Sequence, residues 1–96
     1  MITNKIILEF PTTISRISGN VYGQSIYEKQ IKHKLDDSSI NEIHFPDHIT
    51  RISISFMKGL MSEQLSKYGK ESIFDHFMFT SSHPDIEKSI KESINF

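Results

Sequence analysis

The sequence predicts one small α/β domain over residues 1–96, a mixed four-stranded sheet with about three helices in the order β-β-α-β-α-β-α. Three observations carry that expectation. Ile43 and Phe45 alternate with Glu42 and His44, which is the two-residue period of a strand. Phe56, Met57, Leu60, Met61, Leu65 and Tyr68 then recur at the spacing of one helix face. Finally, strand-like and helix-like runs alternate along the chain, which implies right-handed crossovers and a partly parallel sheet. Helices this few are expected to cover one face of the sheet only.

In chain order, Ile6, Leu8 and Phe10 share one strand face, and Pro11 ends the run. Residues 14–17 (ISRI) read as a second short strand, placed to pair antiparallel with the first. Gly19-Asn20 marks a turn. Tyr27, Ile31 and Leu35 stand four apart and predict a helix within 22–35. Asp36-Asp37-Ser38-Ser39 is a polar loop, its carboxylates expected to be solvated. The strand at 42–45 stops at Pro46. Ser53 or Ser55 is the N-cap of the central helix, and Gly69 stands where a glycine closes one. Gly59, in mid-helix, permits close approach to a strand or a partner. A strand is expected near 77–80. Ser82 is expected to cap a last helix carrying Ile86, Ile90 and Ile94, with Asp85 as a weak capping-box partner. No internal repeat is expected.

Composition narrows the function class. Eleven Lys and Arg against twelve Asp and Glu leave no basic surplus for nucleic acid and no acidic surplus for mimicking DNA. Without cysteine there is no disulfide, thiolate nucleophile or cysteine metal site. No apolar run is long enough for a membrane span. The stretch 6–10 is too short, and too interrupted by Glu9, for a signal peptide. The expected location is the cytoplasm.

No catalytic constellation is expected, and no metal or cofactor. Gly19 and Gly23 lack the Gly-Lys-Ser/Thr of a phosphate loop. Of His33, His44, His48, His76 and His83, only His44 and His48 are four apart, and Pro46 between them breaks the helical geometry zinc would need. Ser55 has Asp47 and His48 nearby in sequence but no strained elbow to make it a nucleophile. As a helix-start serine, Ser55 has two open readings: an N-cap, or a phosphorylation site where free N–H groups favour an anion. Met57 and Met61 are core residues or adaptable contacts.

The strand–loop–serine–helix unit resembles STAS domains, the fold of anti-sigma-factor antagonists, and is most similar to the STAS-like group of bacterial and phage proteins. Ser53-Ile54-Ser55-Phe56 falls where STAS domains carry an Asp-Ser-Ser-Gly type motif. Phe56 replaces the glycine, as in the STAS-like Ser-Phe pattern, and Ser53 stands where the acid would be. Arg16, Gly19 and Gly23 are similar to that group's Arg/Gly-rich approach to its first helix. The resemblance implies a non-enzymatic regulatory module, with Ser55 as the phosphorylatable serine of a partner switch. The expected contact surface is Asp47, His48, Arg51, Ser53, Ser55 and Phe56. The expected partner is a kinase-like ATPase or another regulatory protein. The alternative is a small phage or mobile-element protein that blocks a host complex. Homodimers through an edge strand or an uncovered sheet face are a further expectation.

Overall fold

The computed structural model describes residues 3–95. The elements are β1 (Thr3–Ile7), β2 (Arg16–Ile17), α1 (Asn20–Ile26), β3 (Ile40–His44), β4 (Arg51–Ile52), α2 (Ile54–His76), β5 (Phe77–Thr80) and α3 (Pro84–Asn95). The chain is therefore an α/β domain, but its strands form two parallel sheets instead of one mixed sheet of four. The larger runs β1-β3-β5 and the smaller pairs β2 with β4. The expected antiparallel pairing of the first two strands does not form. Pro11 and the turn after it carry the chain onward past the end of β1, so β2 meets β4.

In the larger sheet Ile6, Ile43 and Phe79 lie in one register row and face the core. The next row, Ile7, His44 and Thr80, faces the other way. Both crossovers step in the same direction along the sheet, so right-handed connections put α1 and α2 on one face. The second face is open, with Ile7 55% and Met78 41% exposed. It is laced by polar contacts. Lys5 pairs with Glu42 at 3.8 Å, Thr80 Oγ1 donates to Glu42 at 2.9 Å, and His44 Nδ1 lies 2.8 Å from Thr80 Oγ1. Parallel sheets are usually covered on both sides, and here charge and hydroxyl groups solvate the bare one.

The smaller sheet corrects the expectation that no segment repeats. Residues 10–18 (FPTTISRIS) and 45–53 (FPDHITRIS) are identical at Phe10/Phe45, Pro11/Pro46, Ile14/Ile49, Arg16/Arg51, Ile17/Ile52 and Ser18/Ser53. They also fold alike. Ile14 N–H donates to Pro11 O at 3.0 Å, and Ile49 N–H donates to Pro46 O at 3.1 Å. The two stretches then pair in parallel, Arg16 beside Arg51 and Ile17 beside Ile52. Each stretch leads into a helix.

The helices depart from simple periodicity at two places. Beyond Ile26 the first continues as a π turn over Tyr27–Ile31 and a 3₁₀ turn over Lys32–Lys34. The central helix does not stop at Gly69. That residue adopts φ 81° and ψ 167°, a conformation essentially reserved for glycine, and the helix resumes to His76. Tyr68 and His76 stack across the break with ring centroids 3.8 Å apart, and Ile73 beyond it is fully buried. Ser82 stands one position too early to cap α3, which begins at Pro84, and its hydroxyl donates to Asp47. His83 N–H donates to Ser81 Oγ, and Glu87 reaches back to accept from Ser81 N–H. Asp36 is more than a solvated carboxylate: the Ser38 hydroxyl and N–H and the Ser39 hydroxyl donate to it and hold its pKa below the ordinary value.

One polar group sits where α1's extension meets α2. Tyr27, only 3% exposed, donates its hydroxyl to Glu63 at 2.5 Å and accepts from the buried Gln64 Nε2 at 2.8 Å. Burial first, and then the hydrogen bond to Glu63, push the Tyr27 phenol from 10.0 up to about 12. The native state therefore holds this proton more tightly than the unfolded chain. The stability it contributes is complete below the unfolded value and is lost as pH rises from there toward about 12. In an ultraviolet tyrosinate titration, one of the three tyrosines is expected to ionise only near that pH or when the fold opens. Tyr27→Phe removes that late step. A titration unchanged by the substitution would contradict the assignment.

Candidate functional site

The start of α2 is built by the parallel pair of β2 and β4. Strand β4 delivers Ser53 with extended backbone, and Ser53 N–H donates to Ile17 O at 3.0 Å. The Ser53 hydroxyl accepts from Phe56 N–H at 3.1 Å. Ser53 is thus the N-cap, which decides between the two serines. Ser55 lies one residue inside the helix and is exposed. Its hydroxyl accepts from Gly19 N–H at 3.2 Å and lies 3.0 Å from the Ser53 hydroxyl. Gly19, at φ 98°, precedes α1. The serine therefore bridges the starts of two neighbouring helices. No histidine is among its hydrogen-bond partners within the described residues, so the Ser55–His48 arrangement of a nucleophile is not assembled.

The helices can start so close together because of two glycines. Gly23 of α1 lies against the Phe56 carbonyl, and Gly59 of α2 lies against the Asn20 carbonyl. The close approach inferred for Gly59 is thus to a helix, not to a strand. Met57 and Met61 are fully buried and belong to the core.

The sequence-selected residues fall into three groups. Arg51, Ser53 and Ser55 cluster at the end of β4 and the start of α2, with Arg16 beside Arg51. Asp47 is exposed but tied into the turn before α3, accepting from the Ser82 hydroxyl while its carbonyl lies 2.7 Å from His83 Nε2. His48, half-buried in the repeated turn, has an Nε2 with no hydrogen-bond partner among the described residues. Phe56 is corrected from contact residue to core: it is fully buried, with Phe10 and Tyr22 ring centroids 6.2 and 5.6 Å away. Sequence reasoning missed the cleft of about 480 Å³ on the outer side of β5, lined by Phe74, Phe79, Glu87 and Lys91 among others. Its walls come from the end of α2, from β5 and from α3, consecutive elements whose packing in space, not any residue spacing, opens it.

Fold and site define a class: a parallel α/β domain with a doubled strand-to-helix unit and an exposed serine at the second helix start. The chain matches no protein-family model, no curated protein and no solved structure.

Proposed function

We propose that the chain is a non-enzymatic regulatory interaction module of the STAS-like kind, switched by phosphorylation of Ser55. The observation that carries this reading is the exposed Ser55 hydroxyl at the start of α2, set against the Gly19 N–H of α1. A phosphoryl group there meets the positive end of a long helix, so the modified protein keeps its fold. The same two negative charges in a contact surface repel an acidic partner and are costly to desolvate. Arg51, Ser53 and Ser55 form the centre of the surface, and Asp47 and His48 lie in the turn that leads into it. The partner in this reading is a kinase-like ATPase or another regulatory protein.

The experiment is affinity purification from the native host with wild-type, Ser55→Ala and Ser55→Asp chains, read by mass spectrometry for partners and phosphoserine. Ser55→Asp is expected to fold normally and to lose partner binding roughly tenfold or more, the scale of a like-charge penalty at an interface. Ser55→Ala is expected to retain the partner. Equal recovery with all three chains would remove the switch.

A further inference from the structure

We propose that Arg16 and Arg51 together form a receptor for one oxyanion group, a phosphate or a carboxylate. The inference stands apart from the Ser55 reading and starts from the register of the small sheet. Arg16 and Arg51 are direct neighbours on parallel strands, so their backbones run about 4.8 Å apart. Ile17 and Ile52 point into the core, which by strand alternation turns both arginines to the outside. Both are exposed, and neither guanidinium has an ion pair or hydrogen bond among the described residues. Like charges placed directly opposite each other destabilise a sheet. The arrangement therefore works against the fold unless something negative lies between them.

The repeat supplies the second argument. Its other shared residues have structural work in at least one copy. Phe10, Phe45, Ile17, Ile49 and Ile52 are buried, Pro11 and Pro46 accept the turn hydrogen bonds, and Ser53 caps α2. Beyond the backbone pairing of the strands, the arginine side chain has none in either copy among the described residues, yet it stands at the same place in both. Two planar guanidinium forks carried side by side on neighbouring strands suit the oxygens of a phosphate or carboxylate, which each can engage through paired N–H donors.

The test is a ¹H–¹⁵N NMR titration of the whole chain with inorganic phosphate, and separately with acetate, against sodium chloride at matched ionic strength. Saturating shifts are expected at the Arg16 and Arg51 side-chain Nε–H groups and at the backbone of residues 15–18 and 50–53. The anion that saturates more tightly names the class. Arg16→Gln or Arg51→Gln alone is expected to weaken binding roughly tenfold or more, the loss of one charge-assisted hydrogen-bonded pair. Shifts that never saturate, that spread over the surface lysines, or that persist in the single variants overturn the proposal. Melting gives a second readout. At low salt without phosphate each variant should melt no lower than wild type, and phosphate should raise the midpoint of wild type alone. Variants that melt well below wild type would make the arginines structural and overturn the inference.

Discussion

Gly59→Ala is expected to unfold the protein or to cost at least the ~3 kcal/mol at the upper end of overpacking penalties. A Cβ at residue 59 would press into the Asn20 carbonyl oxygen and lie 2.8 Å from the Asn20 carbonyl carbon. The obstacle is backbone, so no rotamer change relieves it, and α1 and α2 must move apart. Gly23→Ala meets the same difficulty from the other side, its Cβ lying 2.7 Å from Leu60 N. Urea denaturation followed by circular dichroism measures both. Gly69→Ala separates packing from backbone strain. Nothing lies within 4 Å of that Cβ, so its penalty comes from φ 81° alone and belongs in the ~1–3 kcal/mol range of strained conformations. A Gly59→Ala protein as stable as wild type would mean that the helices are not in contact as described.

Phe56→Ala is expected to cost about 3–5 kcal/mol, the range for deleting a buried aromatic side chain. The ring is fully buried and packs edge-on against Phe10, with Tyr22 tilted beside it. Truncation leaves a hole beside Phe10 and Tyr22, in a chain whose single core has little reserve. The comparison with Ser55→Asp is informative because the residues are neighbours. One substitution should lower the unfolding midpoint sharply, and the other should leave it close to wild type. A stable Phe56→Ala protein that had lost its partner would restore Phe56 to the contact surface.

These neighbours also show how far the sequence could be read. Phe56 lies on the apolar stripe with Met57, Leu60 and Met61, which already marked it for the interior. Its place beside Ser55 in a short motif drew it to the surface, and the burial pattern was the better guide. The central strand was legible at 42–45, close to its observed 40–44, and the cap only as Ser53 or Ser55, because alternation and capping act over a few adjacent residues and the choice between the serines needed the hydrogen bond from Phe56 N–H. The strand at residues 77–80 was legible as well. Strand β4 was not read, although residues 49–52 (ITRI) repeat the pattern of residues 14–17 (ISRI) that marked β2, so the overlooked repeat was its signal. Nor could local spacing reveal that β1 would lie beside β3: that pairing joins Thr3 to Ile40 across a whole helix. Gly69 obeyed the local rule for ending a helix, and tertiary burial of Ile73 on the far side prevailed. In the candidate site, the serines were visible in the sequence. The arginine pair required the register of β2 and β4.

Thirty-five residues separate Arg16 from Arg51, so the meeting of the two like stretches is a ring closure within one molecule. Their effective concentration is set by the tether, not by how much protein is present. A free segment of that length would have to find its twin by diffusion, and dilution would part them. Joining two such units head to tail gives an association that dilution cannot reverse, and it fixes both helix starts on the same side of the molecule.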